Sequence, residues 1–154
     1  MGRSSSGRKC QRRSSTAPRL LAGLARTEGT GAAYGPAVAH RIVVVDNDPD
    51  ALELVVLDLS LEGIEVVGTA QDGVAALRLV TELAPDVLVV DHRMPPGPNG
   101  IDVAAEVRAS HPETAVVLYS NYQSNDLLAR SAALGVRFVP KGNLRTLRRA
   151  VQGA

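Results

Sequence analysis

The stretch Val87-Leu88-Val89-Val90-Asp91-His92-Arg93-Met94-Pro95-Pro96 decides the fold of this chain. Its first four residues are branched aliphatic side chains, which is typical of a strand buried on both faces of a parallel sheet. The run ends at an acidic residue, Asp91, and a loop rich in Pro and Gly follows as far as Gly100. A buried strand that carries a carboxylate at its end predicts an α/β protein whose site lies at the carboxyl edge of the sheet.

The same unit recurs on both sides of this stretch. Capping residues support the helices, because Asp48 precedes Pro49 at the start of one and Asn143 precedes the last. Five strand–helix units predict a parallel sheet in the order 2-1-3-4-5, covered by helices on both faces. Apolar runs predict strands at 42–45, 64–70, 87–90, 115–119 and 136–140, and helical spacing predicts helices at 49–62, 73–83, 101–110, 124–134 and 143–152.

The near-neutral net charge of +1 conceals two different segments. Residues 1–40 contain seven basic residues and one acidic, whereas residues 41–154 contain ten basic and fifteen acidic. We interpret 1–40 as a disordered Ser-, Arg- and Gly-rich leader and 41–154 as the folded domain. A transit peptide and a nonspecific nucleic-acid contact remain alternatives for the leader. The acidic domain, with 3% aromatic residues in the whole chain and no Trp, is not expected to bind nucleic acid specifically.

Other functional classes are excluded by composition. The chain has one cysteine, so an internal disulfide cannot form, and a reducing compartment is expected. No apolar run is long enough to cross a membrane. These features predict a cytoplasmic location. His92 and His111 are interpreted as surface residues, since no Cys or His stands at metal-ligand spacing from them.

Polar residues collect at the predicted carboxyl ends of the strands. Strands one and three are neighbours in the predicted order, so Asp46 and Asp91 are expected to face each other. Two adjacent carboxylates repel unless a cation lies between them, and Mg²⁺ (or Mn²⁺) suits carboxylate oxygens. A hydroxyl from Ser120 and an ammonium from Lys141 complete a site that suits an aspartyl phosphate.

Residues 41–152 resemble the response-regulator receiver domain of bacterial two-component signalling. The resemblance rests mainly on 87–95 and on Asn99-Gly100 after it. It implies an α/β fold of the flavodoxin-like, doubly wound (βα)5 type, a three-layer sandwich. It also implies roles for individual residues: Asp91 as phosphoacceptor; Asp46, Asp91, the backbone carbonyl of Arg93 and, weakly, Asn47 as metal ligands; Ser120, Lys141 and Phe138 as phosphate-binding or switch residues; and Arg93, Tyr122 and Asn121 as tuning residues.

The resemblance further implies how the domain works in a pathway. A histidine kinase or phosphotransferase supplies the phosphoryl group, and the fourth and fifth strand–helix units present a face to a protein partner or to a second copy. The protein is expected to be a signalling module and not an enzyme, and to act as a stand-alone receiver without an output domain. The sequence departs from the family at Asn47, where a second acidic residue is usual, and at Pro140-Lys141-Gly142, where proline usually follows the lysine.

Two alternatives remain open. Asn47 removes one negative charge from the metal site, so a receiver that works as an interaction module without phosphorylation is possible. Asp46-Asn47-Asp48 also fits the Asp-x-Asp opening of haloacid-dehalogenase-like phosphatases, with Asp46 as nucleophile and Asp48 as general acid. That second reading leaves Asp91 and Met94-Pro95 unexplained.

Overall fold

Apolar strands alternate with helices throughout the described part of the chain. The structure is a computed structural model that describes residues 40–154. The predicted leader, apart from His40, therefore lies outside the described residues. The strands are β1 (Arg41–Val45), β2 (Glu65–Ala70), β3 (Val87–Val90), β4 (Ala115–Ser120) and β5 (Arg137–Pro140), and the helices are α1 (Pro49–Leu61), α2 (Gly73–Leu83), α3 (Gly100–Ser110), α4 (Asn125–Ala133) and α5 (Leu144–Gln152).

The five strands form one parallel sheet in the order β2-β1-β3-β4-β5, which confirms the predicted fold class. The predicted boundaries agree with the structure to within one residue; β2, for example, begins at Glu65 and not at Ile64. β1 and β3 are paired with Val45 opposite Val90. Asp46 and Asp91 therefore leave the sheet side by side, at the point where the direction of winding reverses.

Two apolar layers hold the helices to the sheet. Ile42, Val44, Val87 and Val89 point into one layer, which α1 and α5 complete. Alternate strand residues such as Val43, Leu88, Val90 and Leu118 point into the other, which α2, α3 and α4 complete. Because successive side chains of a strand face opposite sides, a run of branched aliphatics fills both layers. The sheet is thus rigidly held up to the edge where the polar residues lie.

Side-chain caps fix where the helices begin near that edge. The Asp48 carboxylate accepts a hydrogen bond from the Asp50 amide, as the sequence predicts for an N-cap, and Asn143 caps α5 through the Thr146 amide. Asn99 caps α3 in the same way. Among residues 40–154, no helix is both long and apolar enough to cross a bilayer.

Candidate functional site

The two carboxylates at the switch point meet at one ammonium group. Lys141 Nζ lies 2.5 Å from Asp46 Oδ2 and 3.0 Å from Asp91 Oδ2. Both acids are almost fully buried, at 3% and 6% exposure. Burial alone would lower the pKa of Lys141, but hydrogen bonds to Asp46 and Asp91 outweigh it and raise that pKa. Lys141 therefore stays charged and offsets the repulsion between the two acids.

Backbone amides orient the same two carboxylates. Asp46 Oδ1 accepts a hydrogen bond from the Asp48 amide at 3.0 Å, and Asp91 Oδ1 accepts one from the His92 amide at 2.6 Å. Each acid thus has one oxygen fixed by the chain just after its own strand and the other directed at Lys141. The carboxylates are held in place before any ligand binds, which lowers the cost of ordering them.

Gly100 lets α3 approach the phosphoacceptor candidate closely. A Cβ at this position would lie 2.1 Å from the Asp91 carbonyl oxygen, and the Gly100 amide donates to His92 O at 2.8 Å. The start of α3 is therefore packed directly against the backbone that carries Asp91. This close approach gives a physical reason for glycine in the Asn99-Gly100 pair.

Ser120 and Phe138 occupy neighbouring strands on the Lys141 side. Ser120 is buried, and its Oγ accepts a hydrogen bond from the Tyr122 amide at 3.2 Å, so its hydroxyl proton remains available to a further acceptor. The Lys141 amide donates to Ser120 O, which ties the ends of β4 and β5 together. Phe138 is half-buried and packs against the α2–α3–α4 layer.

The tuning candidates form a stack that the sequence did not predict. The Arg93 guanidinium lies over the Tyr122 ring, 4.2 Å from its centroid, and the His92 ring stacks on Tyr122 at 5.2 Å. His92 is half-buried: its Nδ1 is buried without a hydrogen-bond partner, and burial lowers its pKa. The remaining candidate, Asn121, is exposed. The stack links the loop after β3 to the loop after β4.

The donor set at Asp46 and Asp91 fits a hard divalent cation. Two buried carboxylates converge there, and the Arg93 backbone carbonyl and Asn47, which is exposed, follow them in the chain. Within residues 40–154, no group of three or more His, Cys, Asp or Glu side chains is placed to hold a metal. Mg²⁺ is commonly bound through one or two carboxylates and keeps several waters, so the two buried carboxylates at this edge fit that cation.

Comparison with known proteins identifies the family. Residues 42–152 match the model of the response regulator receiver domain. The chain belongs to that family. The chain is 42% identical over 108 residues to the probable transcriptional regulatory protein NarL of Mycobacterium tuberculosis, an alignment that covers 69% of this chain and 50% of that protein. The chain thus spans about half the length of the first curated relatives that it matches.

Solved structures support the receiver fold. The signal receiver domain of the putative response regulator NarL from M. tuberculosis matches with a TM-score of 0.69 and 38% identity, covering 74% of this chain and 94% of that one. A two-component response regulator of the LuxR family from Aurantimonas sp. matches with a TM-score of 0.66 and 27% identity, over 75% and 84% of the two chains.

Family membership bears on one of the two alternatives drawn from the sequence. The match to the receiver family spans the whole sheet and the Asp48 carboxylate caps α1, so neither observation favours the phosphatase interpretation. The expectation of a stand-alone receiver stays a prediction, since M. tuberculosis NarL is about twice the length of the aligned part.

Proposed function

We propose that this receiver domain accepts a phosphoryl group on Asp91 from a histidine kinase or a phosphotransferase, with Mg²⁺ or Mn²⁺ as cofactor. The observation that carries the proposal is the contact of Lys141 Nζ with both Asp46 and Asp91. In this arrangement Asp91 is the nucleophile. Asp46 beside it can bind a cation, and the Lys141 ammonium can bind a phosphoryl oxygen.

The chemistry follows from the geometry. An Asp91 carboxylate oxygen attacks phosphorus in line, a new P–O bond forms, and the bond to the donor breaks with its electron pair leaving on the donor group. Asp46 and Asp91 would hold the cation, which would supply positive charge next to the transferring group. Lys141 exchanges its contact with Asp91 for one with a phosphoryl oxygen, and the Ser120 hydroxyl donates to another. His92 and Gly100 amides keep the loop that carries Asp91 in place during the transfer.

The output is a change in protein contacts. Movement of Ser120 and Lys141 toward the phosphoryl group alters the ends of β4 and β5, and Phe138 on β5 responds. On this proposal the protein is a cytoplasmic signalling module whose only chemistry is its own phosphorylation and dephosphorylation. Its partner is a protein and not a specific nucleic-acid sequence, because the described domain is acidic.

A phosphorylation assay tests the proposal. The full chain is incubated with Mg²⁺ and acetyl phosphate or phosphoramidate, and intact mass is measured under acidic conditions. We expect one acid-stable, base-labile phosphoryl adduct that is lost in Asp91→Asn. Asp102→Asn serves as the matched control, because Asp102 is an exposed carboxylate on α3 paired with Arg130. Absence of any adduct on the unmodified chain contradicts the proposal.

Asn47 supplies the competing function, an interaction module that works without phosphorylation. Asn47 follows Asp46 directly and is exposed, so it adds no charge to the cation site. Asn47→Asp separates the two functions. If the unmodified chain forms the adduct, the phosphoacceptor function holds and Asn47→Asp only lowers the Mg²⁺ concentration required. If the adduct appears only after the substitution, the interaction module is the better description.

A further inference from the structure

A small pocket lies at the edge of the sheet opposite to Asp91, where β4 and β5 begin. Since all five strands are parallel, their amino ends meet at this edge and their carboxyl ends at the other. The pocket has a volume of about 120 Å³. We call it the amino-edge pocket, and its walls include Arg108, Gly135, Arg137, Ala150 and residues 115–117.

Arg108 reaches the amino-edge pocket from the last turn of α3 and is held by backbone carbonyls. Its Nε donates to Leu134 O at 3.3 Å, and its Nη1 donates to Pro112 O at 3.0 Å and to Thr114 O at 3.4 Å. Its Nη2 has no hydrogen-bond partner among residues 40–154. The guanidinium is therefore fixed before any ligand arrives and keeps donors to spare, which lowers the cost of binding.

Arg137 brings a second guanidinium to the same pocket, from the first position of β5. The side chain is exposed, and its one hydrogen bond within the described chain is long, from Nη1 to Ala150 O at 3.5 Å. Helices α3 and α5 pack on opposite faces of the sheet, so the pocket joins the two helical layers at the sheet's end. Its two cations thus come from separate elements and converge on one cavity.

These two guanidiniums lack a balancing anion. Residues 41–154 contain fifteen acidic residues and ten basic, yet neither Arg108 nor Arg137 forms an ion pair within residues 40–154. No acidic side chain lines the pocket among the residues described. Carbonyl oxygens there would repel an anion, but those of Leu134 and Ala150 already accept hydrogen bonds from the two arginines. An anion in the pocket would relieve the repulsion between the like charges.

The size and charge of the amino-edge pocket select its ligand. Guanidinium groups bind two oxygens of one group at once, which suits phosphates and carboxylates. A volume of about 120 Å³ is well below the range of about 300 Å³ and above in which larger metabolites bind, but it admits a group of a few heavy atoms. Two positive charges without an acid favour a dianion over a monoanion.

We propose that the amino-edge pocket binds inorganic phosphate as a dianion between Arg108 and Arg137. The pocket shares no residue with the phosphoacceptor site. Its ligand is therefore testable on the unphosphorylated chain, and the result is independent of the chemistry of Asp91.

Nuclear magnetic resonance of the isotopically labelled full chain measures the binding. Inorganic phosphate is added at constant pH and without a divalent cation, and sodium chloride at matched ionic strength is the reference. We expect saturable shifts of the Gly135 and Arg137 amide signals, with a dissociation constant on the order of 1 mM. The Gly142 amide, next to Lys141, reports phosphate at the other edge. Shifts that do not saturate at Gly135 and Arg137, that chloride reproduces, or that occur only near Gly142 overturn the proposal.

Substitution of the arginines tests their part in the site. Arg137→Gln removes one guanidinium at an exposed position, and we expect the dissociation constant for phosphate to rise about tenfold. Arg145→Gln is the matched control, because Arg145 is also exposed and forms no ion pair within residues 40–154, but lies in the first turn of α5 near the Lys141 edge. Equal weakening of phosphate binding by the two substitutions overturns the proposal.

Arg108→Lys keeps the charge of the second arginine and removes its planar fork. We expect it to weaken phosphate binding several-fold, because lysine cannot bind two oxygens in one plane. Circular dichroism checks that the variant is folded, since Arg108 also anchors the ends of α3 and α4 through carbonyls. Unchanged affinity in a folded Arg108→Lys variant overturns the paired-arginine arrangement, and Arg137→Gln decides if this variant does not fold.

Acetate and glycerol 3-phosphate define the ligand. Acetate carries a single charge, so we expect it to bind several-fold more weakly than phosphate. Glycerol 3-phosphate carries the same dianionic group on a larger body, so we expect it also to bind more weakly in a pocket of this size. Acetate that binds as tightly as phosphate overturns the selection of a dianion. Tighter binding of glycerol 3-phosphate assigns the pocket to an esterified phosphate and overturns its assignment to the free ion.

Discussion

Lys141 is the residue on which the site depends most for its stability. It is the single cation that contacts both Asp46 and Asp91 among the described residues. In Lys141→Ala the repulsion between the two buried carboxylates is no longer offset by a positive charge. We expect the free energy of unfolding to fall by about 2 kcal/mol. This is less than the loss for a fully buried ion pair, because the site opens to solvent. Millimolar Mg²⁺ should restore more stability to this variant than to the unmodified chain.

Urea titrations with and without Mg²⁺ measure this effect. Arg78→Ala is the control, because Arg78 forms only an exposed pair with Glu82 on α2 and its loss should cost about 0.5 kcal/mol or less. Equal stability of Lys141→Ala and Arg78→Ala would show that the two carboxylates do not depend on the ammonium.

Tyr122 lies against the loop that carries Asp91. Its ring contacts both Arg93 and His92, the two residues that follow Asp91. In Tyr122→Ala these contacts are lost and water reaches an acyl phosphate more freely, so we expect the phosphoprotein to decay several-fold faster. Tyr122→Phe keeps the ring and should keep the decay rate. Loss of the adduct is followed by intact mass after the phosphodonor is removed, and equal rates in the two variants would rule out shielding by the ring.

The start of α3 shows how strongly one element constrains the site. Because a Cβ on Gly100 would lie 2.1 Å from the Asp91 carbonyl oxygen, Gly100→Ala must displace α3 or the loop after β3. We expect a loss of about 3 kcal/mol in unfolding free energy and a slower phosphorylation of Asp91. Gly63→Ala is the comparison, since Gly63 has a φ of +74° but open space around it, and strain alone should cost about 1 kcal/mol. A smaller loss for Gly100 than for Gly63 would contradict the steric argument.

The strands, their ends and the buried side of α1 were predictable from sequence, whereas the exposed leucines of α1 and the contacts between loops were not. A run such as 87–90 leaves no polar side chain to face water, so its burial and the position of Asp91 follow directly. Helical spacing predicts that Leu52, Val55 and Leu59 face the core, and the structure buries all three. The same helix also carries Leu54, Leu57 and Leu61, whose exposure the spacing alone does not explain. The stack of His92 on Tyr122 was likewise unpredictable, because it joins residues from two loops whose paths depend on tertiary packing.

The two apolar layers share one sheet, which should make the domain unfold as a single unit. Leu59 lies in the α1–α5 layer and Ile101 in the α2–α3–α4 layer, both fully buried. Since every strand contributes to both layers, removal of one layer exposes the strands that support the other. We expect Leu59→Ala and Ile101→Ala each to cost about 2–5 kcal/mol and to keep one cooperative transition.

Calorimetry and urea titration followed by circular dichroism test this coupling. The two sites lie on opposite faces of the sheet and share no contact, so their costs should add in the double variant if it remains folded. If the double alanine variant does not fold, the milder substitutions Leu59→Val and Ile101→Val allow the same comparison. Two separate transitions, or a calorimetric enthalpy well above the van't Hoff value, would show that one helical layer unfolds while the sheet and the other layer persist.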